Sequence, residues 1–302
     1  MWGRKKKTTP DALAGIKVGR LHSDVDVNHF DLGILVDEAR GQATVQFAVE
    51  DHTVVTEDQW RQWETLAGQM PRVMALFTTD VAGGATPHQP RAGAVFYADK
   101  KADRKDVDGF IADLLVHAAP MFSYADEVGL VSTPLDADAV RAALAHGLHC
   151  AEATSWEELT TQEYEETDAT LTLDPEGVAA QASVFTTPAD HEGLTSEIDD
   201  ILHEWEGDVR LRRSRFFRPF VVADSDEEDE LAGGGRRHCL VTVEGGADGA
   251  SAFVDALTPA SQVSLRRAWC RQRSLFIAGL GTGVLGFQRA VTDFKRPQPF
   301  AA

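Results

Sequence analysis

The chain has 302 residues, 43% of them hydrophobic and 25% charged, and its 48 acidic residues against 29 basic ones give a formal charge of −19. That length and apolar content suffice to bury a core across two or three modules, which excludes a disordered polymer or a disulfide miniprotein. The acidic balance argues against broad electrostatic capture of nucleic acid or of an anionic bilayer. Cys150, Cys239 and Cys270 lie far apart with no C-x-x-C pair, so neither a disulfide framework nor a cysteine-rich zinc module is expected and a reducing cytosol fits best.

In chain order, residues 1–28 read as an amino-terminal tail. Its basic start, Lys5-Lys6-Lys7, runs into polar sequence and not into a signal-peptide core. No apolar run reaches membrane-spanning length, so a cytoplasmic protein is expected, open to recruitment to the inner membrane face by partners, with three lysines too few for firm anchoring. Residues 29–37 and 43–50 alternate as two strands about the turn-like Glu38 to Gln42 and predict a hairpin. Thr56 and Gln59 have capping-box spacing, and Trp60, Trp63, Leu66, Ala67 and Met70 recur at helical intervals until Pro71. A third strand is expected over 72–79 and a helix from Asp106 to His117. Pro134 suits the first turn of a further helix running from Ala137 to Leu148. Asp174-Pro175-Glu176-Gly177 is a turn signal between strands 169–173 and 178–186. Near the end, a strand at His238 to Val243, a helix from Ala247 to Leu257, a strand from Val263 to Trp269 and a helix from Gln272 to Leu280 make a strand-helix-strand-helix module. Hairpins mixed with helices predict an α+β fold, and no internal repeat is evident.

Charge divides the chain. Residues 106–204 hold 22 acids against the single base Arg141, a surface expected to attract basic partners. Five arginines then fall within nine residues, Arg210, Arg212, Arg213, Arg215 and Arg218, and the acidic run Asp224 to Glu230 is expected to neutralise them locally. That run and Gly233-Gly234-Gly235 read as a loop spanning 223–237, the clearest boundary between an α+β body (29–222) and a carboxy-terminal module (238–287), with 288–302 as a tail.

Chemical motifs are sparse. Gly281-Thr282-Gly283-Val284-Leu285-Gly286 matches G-x-G-x-x-G, but the chain ends at Ala302 without the second strand and distant acid that dinucleotide binding needs, so a glycine-rich chain reversal is expected. No P-loop and no nucleophile elbow occur. His146, His149 and Cys150 are metal-ligand types lacking a fourth partner, and histidines near a helix C-terminus are equally explained by its dipole. Asp199, Asp200, His203 and Glu204 could serve acid-base chemistry or form a solvated helix face. In Leu265 to Arg273, arginines interleave with Trp269, a pattern open to protein or phosphate contact.

The order of pieces over 29–285 resembles the amino-terminal, non-ATPase domain of conjugative type IV secretion ATPases and of related actinobacterial conjugation and type VII-like secretion proteins. The residues that carry it are Leu240 to Val243, Phe253 to Leu257, Leu265 to Trp269, Gln272, Phe276 and Ala278 to Gly283, with Gly33 to Val36, Val45 to Val49, Trp60 and Trp63 near the start, Gly129 to Ser132 and the helix to Leu148 in the middle, and Thr154 to Trp156. The family's Leu-Pro-Leu-Gly-like ending lacks its proline here, and neither the ATPase domain nor membrane helices are present in the sequence. The resemblance implies a non-enzymatic assembly component of a DNA-transfer or secretion apparatus, whose partners are proteins of a membrane-associated complex. Arg266, Arg267, Trp269, Gln272, Phe276 and Leu280 are the expected partner-binding residues, and no catalytic residue, cofactor or metal is expected. The competing readings are an enzyme with a spatially assembled Asp/Glu/His site and a nucleic-acid-binding accessory protein using the arginine clusters.

Overall fold

The computed structural model describes residues 16–22, 31–38, 40–50, 55–84, 89–98, 106–150, 155–160, 164–173, 180–188, 191–219 and 235–283. The fold is α+β, with twelve strands joined in one antiparallel sheet among these residues. In chain order, β1 (Ile16–His22), β2 (Asp31–Asp37) and β3 (Gln42–Val49) are followed by α1 (Glu57–Ala67), β4 (Val73–Ala82), β5 (Arg91–Tyr97), α2 (Val107–Glu127), β6 (Ser132–Pro134) and α3 (Ala137–Gly147). A short α4 (Trp156–Thr160) leads to β7 (Tyr164–Glu166), β8 (Leu171–Leu173) and β9 (Ala180–Thr186), then α5 (Glu192–Glu204), β10 (Arg210–Pro219) and β11 (Gly235–Glu244). The described chain closes with α6 (Gly246–Ala256), α7 (Pro259–Ser264), β12 (Arg266–Arg267) and α8 (Gln272–Ala278).

These elements form an internal repeat that side-chain identity conceals. In the first half the spatial order is β1-β2-β3-β5-β4, and in the second it is β7-β8-β9-β11-β10. In each half a short late strand continues along the edge already used by the second strand: β6 pairs with β3, and β12 with β9. Each half then follows that short strand with a helix. The halves meet where β4 and β10 pair antiparallel with Thr79 opposite Ser214, and the helix N-caps Thr56 and His191, like Asp136 and Arg271, lie 135 positions apart, the same separation as Thr79 and Ser214. The repeat was not legible in the sequence because a pleated sheet and its helices require apolar residues at the right period, not particular ones.

Three cores follow from the alternation of side chains across the sheet. One face carries two of them. The first packs Trp60 and Trp63 of α1 and Phe110 and Leu114 of α2 on Ile34, Phe47 and Phe96, and the second packs Leu194, Ile198 and Phe253 of α5 and α6 on Leu211, Val241 and Val243. The opposite face holds one continuous cluster in which Val140 and Leu144 of α3, Leu159 of α4 and Leu275 and Phe276 of α8 cover Leu35, Phe77, Val184, Phe216 and Leu240. With both faces covered, β2 and β3 are buried almost throughout, which explains their near-continuous apolar runs. The capping box forms: the Gln59 amide N–H donates to Thr56 Oγ1, and the Thr56 N–H donates to Gln59 Oε1 at 2.9 Å. Trp63 is fully buried, and its indole N–H is satisfied by the Met121 carbonyl at 3.2 Å.

Several expectations need correction. The second helix does not stop at His117 but continues through Pro120 to Glu127. Pro134 is not in a helical first turn: it ends β6 opposite Phe47, and Asp136 caps α3 by accepting from the Ala139 N–H at 2.7 Å. Residues 263–269 are not one strand, because Pro259 starts α7, which runs to Ser264, and only Arg266 and Arg267 pair as a strand. The loop expected over 223–237 runs into β11, whose first residues are Gly235 to Arg237, and β10 and β11 pair over ten residues as neighbours in one sheet, so the carboxy-terminal module is the end of the second repeat. The acidic run Asp224 to Glu230 lies outside the described residues, as do Lys5 to Lys7 and the turn at 174–177.

Candidate interaction site

β10 is the central strand, and its arginines alternate between the two faces of the sheet. Arg213 and Arg215 project towards α1 and α5: Arg213 pairs with Asp80 and Asp199, while Arg215 pairs with Glu57 and donates from Nε to Thr78 Oγ1 at 3.1 Å. Burial opposes the charge on Arg215, but Glu57, Glu64 and Asp80 together hold its guanidinium above the ordinary value. Beside it Arg237 donates to the buried Glu64 at 2.8 Å. The Arg215–Glu57 and Arg237–Glu64 pairs line a small void of about 30 Å³, room for no more than a few waters. An open cleft of about 310 Å³ adjoins it, lined by Glu57, Arg61, Glu192, Thr195 and Asp199.

On the opposite face Arg212 donates to Glu244 and, at 3.2 Å, to the carbonyl of Gly147 at the end of α3, while its guanidinium lies 5.1 Å from the centre of the Phe276 ring. Glu244 also receives His149 Nε2 at 2.8 Å and Arg210 at 3.2 Å. Burial works against the Glu244 carboxylate, yet Arg212 and His149 hold its pKa below the usual glutamate value. Burial lowers His146, with Arg210 acting in the same direction. His149 is therefore committed to an ion network and Cys150 to packing, with burial pushing the Cys150 thiol up to about 11. No cluster of metal-ligand side chains occurs among the described residues. Of the acidic set near 200, Asp199 pairs with Arg213, and Asp200, His203 and Glu204 stand exposed.

The Arg210 to Arg218 block is thus not a cationic surface: Arg212, Arg213 and Arg215 are buried and paired within the sheet, so these three are unavailable to nucleic acid. The signal that could have shown this is the period-two pattern Leu211, Arg213, Arg215, Phe217 against Arg212, Ser214, Phe216. Nor do the acids of 106–204 form one face, since α2 and α5 lie on one side of the sheet and α3 and α4 on the other.

The six residues expected to bind a partner divide into two groups. Gln272, Phe276 and Leu280 are buried. Gln272 Oε1 accepts the Val184 N–H at 2.6 Å and its Nε2 donates to the Ala268 carbonyl at 2.9 Å, so it ties α8 to β9. These three build the module and present nothing to a partner. Arg267 and Trp269 come together at the surface and Arg266 is exposed next to them in the chain: Trp269 is 61% exposed, and Arg267 lies over the rings of Phe185 at 5.1 Å and Trp269 at 5.9 Å. The loop that carries Trp269 is pinned by three backbone hydrogen bonds of 2.9 Å, from Ala268 to Val184, Trp269 to Arg267 and Cys270 to Asp168.

The glycines after α8 close the chain onto the sheet. Gly281 has φ of +75°, and a Cβ there would lie 2.5 Å from Phe77; Gly283, with φ of +82°, sits against Thr44. The Gly281 carbonyl accepts from Gln46 Nε2 at 2.9 Å. Gly281 and Gly283 therefore serve close packing of a chain reversal, as expected, while residues 284–286 of the motif lie outside the described residues. No helix among the described residues is long and apolar enough to cross a membrane. No family model matches the sequence, and no curated protein matches it.

Proposed function

We propose that the protein is a soluble, non-enzymatic docking component of a conjugative DNA-transfer or secretion apparatus and works by binding other proteins of a membrane-associated complex. The observation that carries this reading is the surface of β12, where Trp269 is 61% exposed beside Arg266 and Arg267. Tryptophan and arginine are the residues that most often dominate binding energy at protein interfaces, and an indole held out to water by a pinned loop has no role in packing the core. The resemblance of the 238–285 region to the closing part of secretion-ATPase amino-terminal domains supplies the kind of machine.

The test is photo-crosslinking in the native host, with p-benzoylphenylalanine in place of Trp269 and mass spectrometry of the adducts. Adducts with a membrane-channel or transfer protein are expected. Adducts with metabolic enzymes or nucleic acid alone, or none above those from the same probe at exposed Asp200, would refute the proposal.

A further inference from the structure

The internal repeat provides a control for the β12 surface that one sequence alone does not. In the first half the place of β12 is taken by β6: Leu135 N–H bonds to Gln46 of β3 at 3.1 Å, as Ala268 N–H bonds to Val184 of β9 at 2.9 Å. Stepping back from those anchors sets Pro134 against Arg267 and Thr133 against Arg266. The same short strand, on the same edge, followed by a helix on the same face, is thus built in the first half from Ser132, Thr133 and Pro134. The fold requires neither arginine nor an exposed indole there.

What the second half gains by having them can be read from their chemistry. Residues 256–292 contain five arginines and no acid, within a chain of charge −19. Arg267 is held between two rings, so less side-chain freedom is lost when it engages a partner. Trp269 offers apolar area with the Arg267 guanidinium 5.9 Å from its ring, and Arg266, exposed, precedes Arg267 in the same short strand. Bounding this patch, β7 presents the exposed Glu165 and Glu166, and the turn after it carries Asp168, whose carbonyl holds Cys270. A nucleic-acid backbone tracking along the surface would run its phosphates onto these carboxylates, whereas a ligand with one or two negative charges ends before reaching them.

Resting on the docking reading above, we infer that the β12 patch receives a protein segment in which an aromatic or aliphatic side chain stands next to one or two carboxylates. The apolar side chain packs on Trp269, and the carboxylates pair with Arg266 and Arg267.

The experiment follows the Trp269 indole N–H by NMR, assigned with Trp269→Phe. The protein is titrated with the capped peptide Ser-Asp-Phe-Glu-Ser, with its amide counterpart Ser-Asn-Phe-Gln-Ser, and with an oligothymidylate. Saturable shifts with the acidic peptide, roughly tenfold weaker with the amide version, are expected. Arg266→Gln, whose side chain is exposed and leaves the core untouched, should weaken the acidic peptide alone. Equal response to both peptides, no response to either, or response to the oligonucleotide alone overturns the inference. Failure here with successful crosslinking through position 269 leaves docking standing without an acidic partner. A peptide response without protein adducts supports the chemistry of the patch and defeats the transfer-machine reading.

Discussion

Removing the Glu244 carboxylate tests the buried network on the central strand directly. Glu244 ends β11, its side chain is 2% exposed, and it holds Arg212, Arg210 and His149. Glu244→Gln keeps the shape but leaves the Arg212 guanidinium, itself 3% exposed, without its counter-charge. Breaking a buried ion pair by deleting one partner costs about 3–5 kcal/mol, a large part of the roughly 5–15 kcal/mol that holds a domain together. For a chain of this size that corresponds to a fall in Tm of about 5–8 °C. The pH dependence has a fixed sign. The pKa of Glu244 is lowered on folding, so its contribution is complete above its unfolded value, near pH 4.3, and is lost as pH falls through the folded value. Urea denaturation of the two proteins should therefore give a constant difference from about pH 7 to 5, narrowing in stronger acid. In a double-mutant cycle, Arg212→Met with Glu244→Gln should cost less than the sum of the single changes. A difference below about 1 kcal/mol with native circular dichroism, or a gap that widens on acidification, would refute the assignment of Glu244 as the counter-charge of Arg212.

Gly281→Ala forces a side chain into φ +75° and against Phe77, and should cost about 2–3 kcal/mol by denaturation. Gly193→Ala, in the first turn of α5 with open space around it, should instead stabilise by a few tenths to about 1 kcal/mol. Trp63→Ala removes a fully buried indole and its hydrogen bond to Met121, with an expected loss of about 3–5 kcal/mol measured in the same way. Burial raises the Cys150 and Cys239 thiols to about 11, so at roughly pH 8 their thiolate fraction is on the order of one in a thousand; mass spectrometry after brief iodoacetamide treatment should find the exposed Cys270 alkylated first.

Local grammar was legible in the sequence. The Thr56 and Gln59 pair, the tryptophan spacing behind it and the hairpin at β2 and β3 were placed to within a few residues, because caps, turns and periodicity act over less than a dozen positions. Expectations failed where a local pattern admitted two readings. Val263, Leu265, Arg267 and Trp269 alternate like a strand, but Pro259 starts a helix first, leaving Val263 85% exposed on it. At the candidate site, Arg266 and Trp269 are exposed and Arg267 is partly buried. Gln272, Phe276 and Leu280 were expected to bind a partner as well, but α8 and the turn after it bury all three.

The sequence by itself determined an antiparallel α+β chain, its main helices and the glycine reversal after α8, since each rests on neighbours along the chain. Tertiary structure alone decided the fate of the arginines of β10. Arg215 meets Glu57 across 158 positions and Arg213 meets Asp80 across 133, so a block that reads as a cationic surface became the paired centre of the sheet. The repeat was hidden for the same reason: pairing between distant strands depends on register and burial, which very different side chains satisfy equally well.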